Sequence, residues 1–200
     1  MITLTLGVFH TAFSISGNVL TTPIFEAKLN WTEDETRLNN TIISSAGIIG
    51  LALGSLLGGK LIMSGRRRAS IIMNIVAIFG SLICMYLNTW TLSLGRLING
   101  VVSGVMNAII GKSVNECFEG DLASRLSMFT NIGICVGITL AMNLGFLLPA
   151  IDADKETLGG DEGWRIIYLM PAFLAVIELL LYSTVVREEP ITYSIMNYQD

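Results

Sequence analysis

The sequence predicts an all-α fold, a polytopic membrane helix bundle of six transmembrane helices. Of its 200 residues, 52% are hydrophobic and only 14% are charged, whereas a soluble domain carries about 25% charged residues. The apolar residues are gathered into runs of about 20, the length a helix needs to cross a hydrocarbon core of about 30 Å. Backbone amides in lipid must find partners within their own segment, so each run is a helix rather than an isolated strand.

Six spans follow from these runs, at 3–24, 40–63, 69–87, 91–113, 126–149 and 164–186. The first has no basic leader and runs for a full crossing length, so it reads as a span rather than a cleavable signal. An acidic loop from Glu26 to Asn39 joins it to the second span, and a tight basic turn, Gly65-Arg66-Arg67-Arg68, joins the second to the third. A hairpin at Asn88-Thr89, a charged loop from Asn115 to Arg125 and an acidic loop from Ile151 to Gly163 complete the connections. Residues 1–190 therefore form the bundle, and 191–200 begin a linker or tail.

The basic residues are asymmetric. One side holds Lys60, Arg66, Arg67, Arg68, Lys112, Arg125 and Arg187, the other Lys28, Arg37, Lys155 and Arg165. The positive-inside rule assigns the first side, with both termini, to the cytoplasm. The membrane is the plasma membrane or that of an organelle. Membrane lipids are the first expected partners, the basic turn being an anionic-lipid contact. A net charge of −4 argues against nucleic acid, because no basic surface is available for phosphates. Asn30-Trp31-Thr32 and Asn39-Asn40-Thr41 match the glycosylation pattern and fall on the outer side.

Small residues recur at helical spacing: Gly50, Gly54 and Gly58, then Gly100 and Gly104, then Gly133 and Gly137. Such faces let helix backbones approach closely where no hydrophobic effect drives association. Cys84, Cys117 and Cys135 are an odd count without metal-ligand spacing, so neither a zinc site nor a disulfide framework is expected. No nucleophile–base pair or phosphate loop is evident, which argues against an enzyme and calls for no cofactor.

Three polar groups fall inside apolar spans. Arg96 should face protein, water or a carboxylate, because an intramembrane guanidinium is costly. Glu178 reads either as a proton-coupling group or as a neutral or snorkelling side chain at a protein contact, and the second is preferred. His10 is read in the same way, preferably as a hydrogen-bonded packing residue.

Five motifs then stand in order: Gly65-Arg66-Arg67 after the second span, Gly95-Arg96-Leu97-Ile98-Asn99-Gly100 opening a glycine-spaced fourth, Glu116 at its cytoplasmic end, Trp164-Arg165 opening the sixth, and Arg187-Glu188-Glu189-Pro190 at its exit. From about Leu38 to Pro190 this order resembles the N-terminal half of a sugar porter of the major facilitator superfamily. Such proteins have two six-helix halves with the substrate site near the midplane between them. The resemblance implies transport of a hexose or similar small polyol by alternating access. It also implies a sugar substrate and a second half as partners, the latter from the same longer chain or another subunit. An ungapped count from Glu116 reaches Thr130-Asn131, where the family usually has an amide that hydrogen-bonds the sugar, so these two are the implied substrate-binding residues. Arg66, Arg67, Arg96, Glu116, Arg125, Trp164, Arg165 and Glu188 are the implied gating and charge-network residues. Ile62, Ala123 and Ile191 stand where the family has charged residues, leaving a reduced cytoplasmic network. Such departures also suit the alternative, a non-transporting structural subunit of a larger membrane complex derived from a transporter half.

Overall fold

A computed structural model describes residues 2–63, 65–117, 121–149 and 155–184. They form seven helices: α1 (Ile2–Leu29), α2 (Glu33–Ile62), α3 (Arg66–Cys84), α4 (Thr89–Cys117), α5 (Asp121–Asn143), the short α6 (Lys155–Gly160) and α7 (Trp164–Thr184). Six are long, as the apolar runs require. Five of these have the length and composition of a membrane crossing, and α1 is a further helix of 28 residues. The protein is an integral, multi-pass membrane protein.

The loops are shorter than the sequence suggested. The Glu26–Asn39 stretch is almost wholly helical, because Thr32 and Glu35 form a capping box: the Thr32 hydroxyl accepts from the Glu35 amide while the Glu35 carboxylate accepts from the Thr32 amide at 2.9 Å. Glu33, Asp34 and Glu35 then sit where the helix dipole favours negative charge. Asn30 turns the chain between α1 and α2 with φ +51°, a conformation asparagine tolerates better than most residues. Asn39 of the second glycosylation triplet is helical and half-buried. Similarly, the 115–125 connection is helical at both described ends, α5 continues into a 3-10 turn (Leu144–Leu147), and α6 occupies part of the last acidic loop.

The tight turn before α3 is made by Gly65, whose φ of +105° only glycine adopts without strain. Arg66, Arg67 and Arg68 are thus the first turn of α3, not a loop. Positive charge opposes the dipole there, and two of the three are anchored elsewhere. Arg67 donates from Nε to the Tyr182 carbonyl and from Nη2 to the Ser183 carbonyl, both at 3.1 Å. It thereby caps the C-terminal end of α7, where cations are favoured. Arg66 reaches Ser113 Oγ at 3.4 Å on α4.

Packing centres on α4, which touches α1, α2, α3 and α5. The small-residue faces of α2 and α4 interlock. A Cβ at Gly50 or Gly54 would collide with the Leu97 or Val101 carbonyl, and one at Gly100 or Gly104 with the Gly47 or Leu51 carbonyl. Gly133 and Gly137 let α5 lie on Val8, Phe9 and Ala12 of α1. Two apolar clusters cap the bundle. One joins Ala69, Met73, Val102, Val105, Met106 and Tyr182, and the other Phe25, Ile43, Cys84, Leu92, Trp164 and Tyr168. Arg96 and Asn99 lie on α4 between them, both buried.

Candidate functional site

The intramembrane arginine takes a partner that sequence spacing does not reveal. Arg96 is only 7% exposed, and its guanidinium donates to the α1 backbone, from Nη1 to the Ser14 carbonyl at 2.7 Å and from Nη2 to the Ile15 carbonyl at 3.4 Å. A carbonyl oxygen has two lone pairs, so it accepts this bond beside its helical one. No carboxylate pairs with Arg96 among the described residues; the ion pairs there are Lys28–Glu162 and Arg165–Glu162. Around the guanidinium a cleft of about 270 Å³ opens between α1, α2 and α4.

Thr130 and Asn131 are neighbours in sequence but differ in exposure, Thr130 half-buried and Asn131 exposed. Successive helical residues are 100° apart. The Thr130 hydroxyl returns to its own helix at the Leu126 carbonyl, 3.1 Å away. Asn131 is exposed on the outer surface of α5, beside Ile132, Cys135, Val136, Thr139 and Leu140, which line a groove of about 410 Å³. Counting by fours from Asn131 gives Cys135, Thr139 and Asn143, all exposed. This polar stripe extends the Asn131 position over three helical turns, and the i, i+4 spacing that marks it was present in the sequence. Thr139 Oγ1 and Asn143 Nδ2 each donate back to the carbonyl four residues earlier, at 2.9 and 2.8 Å. Apolar Val136 and Leu140 share that groove, while the exposed Phe129 is not among its lining residues.

The implied charge network divides between the two ends of α7. Arg67 meets residues 182 and 183, whereas Trp164 and Arg165 open the same helix, about 30 Å away at 1.5 Å per residue. At the Trp164 end, Glu162 bridges Lys28 Nζ at 2.9 Å and Arg165 Nε at 2.8 Å. Lys28 and Arg165 also lie 6.0 and 5.6 Å from the Trp164 ring, which packs edge-on against Phe25 and Tyr168. The hydrogen bond from Lys28 holds the Glu162 carboxyl below its ordinary value; slight desolvation opposes this, and the charges of Lys28 and Arg165 add to it. Arg125 is exposed in the first turns of α5, and Glu116 belongs to the last turn of α4. Glu188 lies outside the described residues.

Glu178 and His10 are enclosed by protein, each 1% exposed. Glu178 is close to Gly7 of α1 and beside Asn74 of α3. Among the described residues neither nitrogen of His10 has a hydrogen-bond partner, so the expected hydrogen-bonded packing histidine is packed but not hydrogen-bonded there.

The chain belongs to the sugar (and other) transporter family, whose model matches residues 3–197. It is 25% identical over 191 residues to hexose transporter 1 of Toxoplasma gondii, covering 88% of this chain and 34% of that protein. It is 28% identical over 165 residues to glucose transporter 2C of Trypanosoma brucei brucei, covering 78% and 48%. Its fold matches the xylose transporter XylE from E. coli in a partially occluded inward-open conformation, with a TM-score of 0.78 at 19% identity, covering 94% of this chain and 48% of that one. The chain spans about a third of the length of the first curated relative and about half of the solved structure.

Proposed function

We propose that this chain is the N-terminal half of a transporter for a hexose or similar small polyol, working by alternating access against a second six-helix half. The observation that carries the reading is the α5 stripe. Exposed polar groups at membrane depth are costly against lipid and are tolerated where they line a water-filled cavity. Thr139 and Asn143 are partly satisfied by their own helix; the Asn131 amide is not, and it is the group offered to sugar hydroxyls. Residues 1–190 are the bundle and 191–200 the start of the connection.

In this reading both termini and Arg66–Arg68 face the cytoplasm of a plasma or organelle membrane. Arg66, Arg67, Glu116, Arg125 and Glu188 form the cytoplasmic charge group, and Trp164 with Arg165 the outer one. Exposed pairs are each worth about 0–1 kcal/mol, so they bias the conformational equilibrium rather than hold the fold.

Uptake of radiolabelled D-glucose by proteoliposomes containing the native protein, with whatever second half accompanies it, tests this directly. Saturable uptake that falls on Asn131→Ala is expected. No uptake, with the chain recovered only inside a stable multi-subunit complex, would replace transport by the structural-subunit reading.

A further inference from the structure

The Arg96 guanidinium has five N–H groups, and the protein engages two of them. Among the described residues its Nε–H has no partner although the residue is 93% buried, and Ser103 Oγ on the same helix is likewise buried and unpartnered. Both side chains line the cleft between α1, α2 and α4, together with Ser14, Ser44 and Gly47.

Position 47 shows which edge of the guanidinium is turned to the cleft. A Cβ on Gly47 would lie 3.6 Å from both Nε and Nη2 and farther, 3.9 Å, from the central carbon. The Nε–Nη2 edge therefore faces Gly47, and the missing side chain keeps the space beside it open. Two parallel N–H groups on one edge are the fork that pairs with a carboxylate. A cleft of about 270 Å³ falls just below the ~300–1,000 Å³ of pockets for drug-sized ligands, a size for a smaller molecule.

We propose that this cleft is a carboxylate-binding site, in which a small organic acid is held edge-on by Arg96 Nε and Nη2 with the Ser103 hydroxyl beside it. The bound carboxylate is the counter-charge that the described residues do not provide to Arg96. The site goes beyond hexose transport and does not depend on it, because a neutral sugar leaves the cation unpaired.

The test is equilibrium binding of radiolabelled D-glucuronate to the native protein in detergent at neutral pH, with D-glucose as the neutral twin, acetate as the minimal carboxylate and oleate as the lipid source. Saturable glucuronate binding is expected, displaced by acetate and not by an equal concentration of glucose. Gly47→Ala, whose added carbon meets nothing closer than 3.6 Å, should fold and weaken binding at least tenfold by crowding the edge. Arg96→Lys should weaken it similarly, since an ammonium offers no fork. Oleate binding that is lost in Gly47→Ala, with no glucuronate binding, supports the carboxylate site and assigns it to a lipid. Absence of binding by all three carboxylates, or glucuronate binding that Gly47→Ala and Arg96→Lys leave unchanged, overturns the proposal. Glucose transport in the same preparation stands or falls separately, so failure of one reading is distinguishable from failure of the other.

Discussion

Helices α4 and α5 have similar length and hydropathy, yet they are used in opposite ways. The crossing window of α4 is 56% buried and that of α5 only 11%. Polar residues follow the same division. Ser93, Arg96, Asn99 and Ser103 of α4 point into the bundle, whereas Asn131, Cys135, Thr139 and Asn143 of α5 point out of it. Hydropathy identifies both as spans; in the proposed reading the placement of the polar residues separates a scaffold helix from a pathway helix. In that reading the exposed α5 groups are offered to the transported solute, whereas the buried α4 groups face neighbouring helices and the Arg96 cleft.

Breaking the scaffold side should have the largest effect. Gly54→Leu places a side chain against the Val101 carbonyl, a backbone atom that cannot give way without parting α2 from α4. A loss of about 3 kcal/mol or more is expected, at or beyond the upper end of overpacking costs, measured as a lowered thermal unfolding midpoint in detergent. An unchanged midpoint would mean that the two helices do not meet through glycine.

On the pathway side, Asn131→Ala should leave stability within about 0.5 kcal/mol, as for exposed substitutions generally, while weakening hexose transport by about 1–3 kcal/mol of lost hydrogen bonding. The two readouts must separate. A mutant that is unstable as well as inactive would return Asn131 to the scaffold.

A smaller gain is expected from Gly111→Ala near the end of α4. A Cβ there meets nothing within 4 Å, so only helix propensity changes, and stability should rise by about 0.5–1 kcal/mol. A loss would show that packing reaches further along α4.

The smallest effect concerns the Lys28–Glu162–Arg165 charge cluster. Glu162 is held below its ordinary value of 4.5 by Lys28 and Arg165. A group whose folded pKa is depressed contributes stability above its unfolded value and loses it as pH falls through the folded one. The Lys28–Glu162–Arg165 contribution should therefore be present at neutral pH and fade below about 4.5. Glu162→Gln should remove that acid-side dependence from the unfolding midpoint, and an identical pH profile in the mutant would assign it to other carboxylates.

The spans were legible because a crossing needs about 20 apolar residues and the sequence has six such runs. Their ends were not. Glu33, Asp34 and Glu35 look like loop in a hydropathy reading, yet the capping box makes them helix. The glycine faces were legible as spacing and met the partners that spacing allows. The partner of Arg96 was not legible, since the carbonyls of Ser14 and Ile15 carry no sequence signal and lie 82 and 81 residues away in the chain. Trp164 and Arg165 were grouped by resemblance with Arg66 and Arg67; the length of α7 separates them. Asn131 is proposed from a count that starts at Glu116, and the exposed Cys135, Thr139 and Asn143 follow from it every four residues.

The division between α4 and α5 rests on the α5 stripe facing water, and thiol accessibility measures that most directly. In sealed vesicles carrying the protein with Cys84 and Cys117 replaced by serine, the native Cys135 is compared with single cysteines at Asn131, Thr139 and Phe129, each made with Cys135→Ser. A charged methanethiosulfonate reagent should modify Cys135, Asn131→Cys and Thr139→Cys, and hexose should slow the reaction at Asn131→Cys. Phe129→Cys, outside the groove that Asn131, Cys135 and Thr139 line, should stay unreactive on the same helix. Equal reactivity at all four positions, or reaction confined to position 129, would contradict a water-facing stripe and with it the transport reading.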